Sequence, residues 1–483
     1  MTWLIIGGGI SGLGAAKLLR SRGESVRVTD AKKLGDDRRR PFLDLGVDLQ
    51  DGTESQKVLT GVHTLVLSPG VPPSNPLVLS GEQRGLKIMT EIDLGLKHFN
   101  EKGGKLIAIT GTNGKSTICV MTEHILSRAG YRVTAGGNLG DPLTAMIAEG
   151  RSREYLVLEL SSYQLELSRF VQPEVAGITS FSYDHQGRHK TLENYFHAKW
   201  NIFNQIRQSG TAILPSSIYE TAKRLDCPEI KGQRYIIQTE DGGPVGGCTG
   251  FESLDKTPLK NSLKDSQTQF FRIKMGQKRV FNENEQEIAN LSKFHLGQKH
   301  NIYNAVFSSL AVSALTKENL SNLIGYLSDF RGLPHRCELV GHINGEPVIN
   351  DSKSTNVEST MVAVASQEKP VLLMLGGEGK GESFEPLTKF FSNVAAVIIF
   401  GASGNKIASD LRSAFKPECA PMQYTFRTLA EALAAVPDML ARKKVPLLFS
   451  PGCASFDEFR NFEDRGQFFS RVLQPLFDET DDI

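Results

Sequence analysis

The stretch Thr110-Gly-Thr-Asn-Gly-Lys-Ser-Thr117 constrains the fold of this chain more than any other feature. It follows the apolar run 106–109, which predicts a buried strand, and it precedes residues 118–129, which predict a helix ending at Gly130. A strand, a glycine-rich turn and a helix N-terminus direct several backbone N–H groups to one point, where a polyphosphate can bind. The sequence therefore predicts a phosphate-binding loop in an α/β fold.

The loop predicts binding of ATP with Mg²⁺. Lys115 is expected to reach the terminal phosphates, and Ser116 or Thr117 to ligate the metal ion. Only two residues separate Gly111 from Gly114, whereas the common P-loop has four, so this shortened loop indicates a particular family. The alternative is a tight turn between a strand and a helix that happens to contain a lysine.

A second glycine loop lies near the N-terminus. The strand Leu4-Ile-Ile6 leads into Gly7-Gly-Gly-Ile-Ser-Gly12 and a helix, and the next strand ends at Asp30. This order is typical of a nucleotide-binding α/β unit, but it does not distinguish NAD from a UDP-sugar. Ser68-Pro-Gly70 follows a further strand, at the edge where open α/β sheets bind ligands, although it can also be an ordinary proline turn.

Length and composition predict a soluble, multidomain protein. The 483 residues favour three domains, at 1–94, 95–330 and 331–483, each α/β, with Rossmann-like outer domains and a mainly parallel sheet in the central one. A net charge of +1 gives no reason to expect nucleic acid or an anionic membrane as a partner. The N-terminus lacks a basic leader and no apolar run approaches the ~20 residues of a membrane span, so we expect a cytoplasmic protein.

Three residues of the central region are candidate metal ligands. Glu159 ends the apolar run 155–160, where a carboxylate needs a partner such as a cation, although a surface position is the alternative. His185 can bind a metal ion or cap the following helix. Lys199 carries a charge that repels metal ions, but as a CO₂-derived carbamate it becomes an anionic oxygen ligand.

Beyond these residues the sequence is less specific. Asn301 and Asn304 share one face of a predicted helix, where they can bind a base edge or cap the helix. Residues 239–268 predict loops and hairpins without chemistry. From 331 onward, polar residues recur after predicted strands, as in a second ligand-binding doubly wound unit.

Taken together, the motifs resemble the Mur ligase family, the ATP-dependent amide-forming enzymes of peptidoglycan precursor synthesis. They comprise Gly111–Thr117, Gly137-Asn-Leu-Gly140, Glu159–Gln164, Asp184-His185, Ala198-Lys199, His300–Asn304 and Asp351-Ser-Lys353. Three further motifs are similar to the branch that adds D-glutamate: Leu333–Arg336, Asn350–Asn356 and Ser450–Asp457. The chain departs from the family at Ser180, where asparagine is usual, and at Gln186-Gly187, where leucine and aspartate are usual.

The resemblance implies activation of UDP-N-acetylmuramoyl-L-alanine by ATP and attack by D-glutamate, with Lys115, Glu159, His185 and Lys199 catalytic. It implies two Mg²⁺ ions, one at Ser116 and Glu159 and the other at His185 and carbamylated Lys199. It places ATP at Gly111, Thr112, Asn113, Gly114, Lys115, Ser116, Thr117, Asn301, Asn304, Arg336, Asp351 and Lys353. The UDP substrate is assigned to Ile10, Ser11, Asp30, Ser68, Gly70, Asn138, Ser161 and Gln164, and D-glutamate to Thr355, Lys380, Ser455, Phe456 and Phe462.

Other functions remain open at this point. They are another amide ligase of the Mur or folylpolyglutamate-synthase type, an NAD-dependent oxidoreductase and a nucleotide-binding regulator without catalysis. The oxidoreductase leaves Glu159, His185 and Lys199 unexplained. A monomer is expected.

Overall fold

The computed structural model describes residues 2–182, 186–240, 266–379, 381–414 and 421–478. The chain forms two compact units, residues 1–330 and 331–483. The first unit contains two β-sheets and the second contains one. The predicted fold class, three α/β domains with a mainly parallel central sheet, is confirmed.

The N-terminal sheet has five parallel strands in the order β3-β2-β1-β4-β5. Its strands are β1 (Thr2–Ile6), β2 (Ser25–Asp30), β3 (Asp48–Asp51), β4 (Val62–Leu67) and β5 (Lys87–Thr90). The helices are α1 (Ile10–Ser21), α2 (Asp36–Asp44), α3 (Pro76–Gln83) and α4 (Glu91–Asn100). The domain boundary predicted after residue 94 falls within α4. This helix begins after Thr90, which forms a capping box with Asp93.

The central sheet has nine strands in the order β14-β13-β12-β11-β10-β9-β6-β8-β7. They are β6 (Lys105–Thr110), β7 (Val133–Gly137), β8 (Tyr155–Glu159), β9 (Val175–Ile178), β10 (Thr211–Pro215), β11 (Gln233–Thr239), β12 (Thr268–Lys274), β13 (Arg279–Phe281) and β14 (Glu287–Asn290). Among the described strands of this sheet, only the β12-β13-β14 end is antiparallel. The predicted loop segment 239–268 lies mostly outside the described residues.

The helices of the central domain cover both faces of this sheet. They are α5 (Lys115–Arg128), α6 (Leu143–Ala148), α7 (Ser162–Leu167), α8 (Gln186–His189), α9 (Leu192–Asn204), α10 (Ser216–Arg224), α11 (Lys299–Thr316) and α12 (Leu320–Gly325). Helix α6 packs against α1 and α4 of the N-terminal domain. Gly14 and Gly95 allow this close approach, since a Cβ on either would lie within 2.8 Å of Thr144 or Leu143 side-chain atoms.

The described residues of the C-terminal unit form a six-stranded sheet in the order β15-β16-β20-β17-β18-β19, in which β15 alone is antiparallel. Its strands are β15 (Glu338–Ile343), β16 (Glu346–Asn350), β17 (Val371–Gly376), β18 (Val394–Phe400), β19 (Met422–Thr425) and β20 (Leu447–Gly452). Its helices are α13 (Val357–Ala365), α14 (Gly404–Ser413), α15 (Leu429–Lys443) and α16 (Phe462–Leu473). Within the described parts of the chain, no helix is long and apolar enough to cross a bilayer.

Candidate active site

The predicted phosphate loop lies between β6 and α5, at the carboxyl edge of the central sheet. Gly111 (φ +146°) and Gly114 (φ +81°) take backbone conformations that favour glycine. A Cβ on Gly111 would lie 2.0 Å from Thr179 Oγ1, and one on Gly114 would lie 3.0 Å from Asn304 Oδ1. Both glycines of the shortened motif are therefore required by this geometry.

The strand end at Thr179 and Ser180 holds the loop in shape. Thr112 N donates to Ser180 O at 2.9 Å, and Thr179 Oγ1 donates to Asn113 O at 2.6 Å. The Ser180 hydroxyl accepts from Asn113 N at 2.9 Å and donates to Asn113 O at 3.1 Å. The departure from the family at position 180 therefore leaves a side chain that bonds directly to the phosphate loop.

Ser116 and Glu159 meet below the loop. The Ser116 hydroxyl donates to Glu159 Oε2 at 2.5 Å, and Asn138 Nδ2 donates to Oε1 at 2.8 Å. Glu159 is 3% exposed, so the alternative of a surface carboxylate is wrong. A hydroxyl and a carboxylate in contact are hard oxygen donors of the kind that Mg²⁺ prefers, and this pair fits the predicted metal site.

Two lysines approach the same loop from different helices. Lys115 Nζ donates to Thr112 O at 2.7 Å, and Lys199 Nζ donates to Gly111 O at 2.6 Å. Lys199 is 2% exposed, and its Nζ lies 4.6 Å from the centre of the Tyr195 ring. The structure therefore brings the Lys199 side chain to the phosphate loop.

His185, the other predicted metal ligand, lies outside the described residues. Among the residues that are described, no group of three or more histidine, cysteine, aspartate or glutamate side chains is arranged to hold a metal ion. The described part of the predicted metal site is thus the Ser116 and Glu159 pair, with Lys199 close to the loop.

Helix α11 brings one of its two predicted asparagines to the loop. Asn304 is 5% exposed and faces Gly114. Asn301 instead lies one turn nearer the helix start, where its side chain donates to Gln298 Oε1 at 3.0 Å. Tyr303, which the sequence did not single out, donates its hydroxyl to Thr179 O at 3.2 Å and so ties α11 to the strand that supports the loop.

Tyr195 and Arg188 are two further residues that sequence reasoning missed. The Tyr195 hydroxyl lies 3.3 Å from Thr112 Oγ1. Tyr195 lies one turn before Lys199 on α9, and this spacing is the signal in the sequence that could have identified it. Arg188 donates to the carbonyls of Gly70 (3.4 Å) and Val71 (3.1 Å) and also binds Glu166. No local motif predicts the contact of Arg188 with the N-terminal domain, because Gly70 and Val71 are more than a hundred positions away.

In the N-terminal loop, Asp30 and Ser68 support the backbone. Asp30 Oδ2 accepts from Gly8 N at 2.7 Å, and Ser68 Oγ donates to Gly7 O at 3.1 Å. Ile10 is 72% exposed at the start of α1. The other two predicted residues of this domain, Ser11 and Gly70, are half-buried and exposed respectively.

Ser161 and Gln164, assigned to the UDP substrate, form a capping box at the start of α7. Ser161 N donates to Gln164 Oε1 at 2.8 Å, and Ser161 Oγ accepts from Gln164 N at 3.3 Å. Their side chains satisfy the helix N-terminus in this structure. A substrate role for them stays a prediction.

In the C-terminal unit, Asp351 is buried in a hydrogen-bond network. Its Oδ2 accepts from the hydroxyls of Ser354 (2.6 Å) and Ser450 (2.7 Å), and its Oδ1 accepts from Cys337 N (3.1 Å). Burial raises the pKa of Asp351, and these donors act against that rise. In this structure the carboxyl group therefore fixes the loop after β16, and its assignment to ATP stays a prediction.

The remaining predicted ligands of this unit surround the same strand ends. Lys353 Nζ lies 4.1 Å from the centre of the Phe462 ring. This contact joins a residue predicted to bind phosphate to one predicted to bind D-glutamate. Ser455 is buried, whereas Phe456 is 68% exposed. Thr355 and Arg336 are half-buried, and Lys380 lies outside the described residues.

The comparisons with known proteins place this geometry in a family. Residues 1–90 match the N-terminal domain of Mur ligases of the MurD-like type, and residues 109–312 match the Mur ligase middle domain. A UDP-N-acetylmuramoylalanine–D-glutamate ligase of Aquifex aeolicus is 32% identical, covering 99% of this chain and 100% of the relative. One from Cytophaga hutchinsonii is 31% identical, covering 98% of each chain. The chain belongs to the Mur ligase family, as the motifs predicted.

Solved structures give the same fold over the whole chain. A pseudomurein peptide ligase type C from Methanothermus fervidus has a TM-score of 0.56 at 18% identity, covering 98% of this chain and 99% of that one. UDP-N-acetylmuramate-alanine ligase MurC from Thermotoga maritima has a TM-score of 0.54 at 15% identity, with 98% and 99% covered. At these identities the likeness supports the three-domain architecture.

Proposed function

We propose that this protein joins D-glutamate to UDP-N-acetylmuramoyl-L-alanine, with conversion of ATP to ADP and phosphate. The observation that carries the proposal is the phosphate loop with Lys115 and Ser116, in a chain that aligns over its full length with relatives named for this reaction. The alanine carboxylate attacks the γ-phosphorus and forms an acyl phosphate. The amine of D-glutamate then attacks the acyl carbon, and the tetrahedral intermediate expels phosphate.

The chief obstacle in the first step is electrostatic, because a carboxylate must approach a polyphosphate. Two like unit charges at 4 Å repel by about 4 kcal/mol at an effective dielectric constant of 20. Lys115 places a positive charge on the loop itself, and the N-terminus of α5 adds backbone N–H donors. These groups orient the phosphates and offset the repulsion.

Magnesium is the expected cofactor, held by Ser116 and Glu159, with a second ion assigned to His185 and carbamylated Lys199. When bound, the metal supplies positive charge at the phosphate and acyl oxygens. Asn138 fixes the Glu159 carboxylate by its 2.8 Å hydrogen bond, so it supports the metal site as well as the muramoyl substrate.

The carbamate on Lys199 has a test of its own. Lys199→Ala is expected to abolish turnover, and acetate or propionate is expected to restore part of it by supplying a carboxylate in the vacated space. Lys190→Ala is the matched control and should keep wild-type turnover. Among the described residues, the Lys190 ammonium donates to Gly187 O, just before α9. Absence of rescue over a range of small acids would contradict the carbamate.

The acceptor residues Thr355, Ser455, Phe456 and Phe462, with Lys380 for the side-chain carboxylate, complete the proposal. The experiment is a phosphate-release assay over a panel of UDP-muramoyl precursors and amino acids. Release should require UDP-N-acetylmuramoyl-L-alanine and D-glutamate together, and L-glutamate or diaminopimelate should be inactive. A different acceptor preference would contradict the proposed substrate while leaving the family assignment intact, and folate turnover would favour the alternative ligase.

The monomeric state stays a prediction, to be checked by light scattering.

A further inference from the structure

Arg465 is a buried arginine in the first turns of α16. Asn461 caps this helix, its side chain accepting from Asp464 N at 2.7 Å, and this cap fixes where the helix starts. Arg465 is 1% exposed. An arginine is rarely buried so fully unless its donors are satisfied, so its partners define what it does.

The guanidinium joins two loops that are about a hundred residues apart in sequence. Its Nε donates to Ser352 Oγ at 3.0 Å and its Nη2 to Ser352 O at 2.8 Å. Its Nη1 donates to Cys453 O at 3.0 Å and to Ala454 O at 3.2 Å. One side chain therefore sets the spacing between the loop after β16 and the loop after β20.

Within the described residues, no carboxylate lies within ion-pair distance of this guanidinium. Its partners there are carbonyl and hydroxyl oxygens, while Asp457, Asp351 and Glu458 act on it from farther away. Burial lowers the pKa of Arg465 to about 10, which leaves it charged at neutral pH. A buried cation without a contacting counter-ion is costly to keep, and a well-packed apolar residue would often serve stability as well.

The two loops carry predicted ligands of different substrates. The first contains Lys353 and Thr355, and the second runs directly into Ser455 and Phe456. Phe462, one turn before Arg465 on α16, stacks with Lys353, and its carbonyl accepts from Ser352 Oγ at 2.8 Å. The residues that Arg465 holds are thus the immediate neighbours of the predicted acceptor site.

We propose that Arg465 is a positioning residue, which sets affinity for the anionic acceptor amino acid by holding residues 352–355 and 453–456 at a fixed spacing. The proposal rests on the proposed function and adds a residue to it. Arg465 acts through the loop backbone, without contact to the acceptor. A lysine at this position keeps the charge, but its single ammonium group cannot span both loops.

The test compares Arg465→Lys with Arg471→Lys in the full-length protein. Arg471 lies on the exposed side of the same helix, over the Phe468 ring, and serves as the matched control. Arg465→Lys should raise the KM for D-glutamate about tenfold, since charged hydrogen bonds to one loop are lost. The KM for UDP-N-acetylmuramoyl-L-alanine should stay near wild type in protein that remains folded. Equal rises in every KM, or a D-glutamate KM within twofold of wild type, would overturn the proposal.

Ser352→Ala provides a second variant if Arg465→Lys fails to fold. It removes one acceptor of the guanidinium and should raise the KM for D-glutamate about threefold. An unchanged KM in a folded Ser352→Ala protein would then overturn the proposal. If the wild-type protein itself does not use D-glutamate, the proposed function fails. If it does and these variants leave its KM unchanged, only the role of Arg465 fails.

Discussion

The two glycine loops of the first unit share a plan but differ in charge. Each follows a parallel strand and begins a helix whose N-cap glycine, Gly9 or Gly114, has no side-chain cap. The first helical residue is exposed Ile10 in one loop and Lys115 in the other. In the N-terminal loop the Gly8 amide already donates to the carboxylate of Asp30.

This difference indicates that one backbone motif can suit different ligands in the two loops. An amide bound to a carboxylate is not available to a phosphate, and the carboxylate adds negative charge beside the loop. The N-terminal loop therefore suits a ligand that also offers hydroxyl groups and carries less charge. The central loop adds Lys115 and the Ser116–Glu159 pair, which suit a polyphosphate with a metal ion.

The strongest test of this comparison substitutes the first helical residue of each loop. Lys115→Ala should lower ATP-dependent turnover by about 10²–10³-fold, because a charge directed at the transferring phosphate is lost. Ile10→Ala should change the KM for the UDP substrate by only a few fold, since it removes apolar contact alone. Phosphate-release kinetics measure both effects. Similar losses of turnover in the two variants would contradict the interpretation that only the central loop uses a charged side chain to bind phosphate.

Replacing one glycine of each loop with alanine should lower the unfolding free energy by different amounts. Gly111→Ala should cost about 1–3 kcal/mol, because its positive φ and the 2.0 Å approach to Thr179 Oγ1 leave no room for Cβ. Gly9→Ala should cost less than about 1 kcal/mol, since a Cβ there has no neighbour within 4 Å. Denaturant unfolding of both variants gives the comparison. Equal costs would mean that the central loop relaxes around the new methyl group.

The smallest expected effect is a pH dependence of stability at Glu91. This residue of α4 contacts α6 and so joins the two domains that carry the glycine loops. This buried carboxyl group accepts from Thr144 N (2.8 Å) and Oγ1 (2.6 Å) of α6, and burial raises its pKa, with Asp93 adding to the rise. Above its ordinary value of 4.5, the unfolded chain loses a proton that the folded chain keeps. Wild-type stability should therefore fall as pH rises through this window up to the raised pKa.

Glu91→Gln cannot ionise, so its unfolding free energy relative to wild type should increase as the pH rises above 4.5. Glu101→Gln, at the exposed end of the same helix, is the control. His98 lowers the pKa of Glu101, so the relative change in this variant should have the opposite sign and occur below pH 4.5, with no change above it. Denaturant unfolding at several pH values measures both slopes. A flat difference for Glu91→Gln would mean that Glu91 ionises at its ordinary pKa in the folded protein.

Local patterns predicted the elements well because each reflects short-range constraints. The apolar run before Gly111 became β6, and the predicted helix after it was confirmed, with a start at Lys115. Glu159 could be singled out because an acid at the end of a buried strand needs a partner. Arg188 and Arg465 could not be found in this way, since their partners become neighbours only after the sheets assemble.

The sequence by itself determined the fold class, the family and the phosphate loop, because glycine spacing, strand and helix periodicity and motif order are properties of short segments. Tertiary structure decided which polar residues meet. It joined Ser116 to Glu159, brought Lys199 to Gly111, and enclosed Asp351 among the hydroxyls of its own unit. Hydrogen bonds act over about 3 Å, so their partners are settled only when packing brings distant segments together.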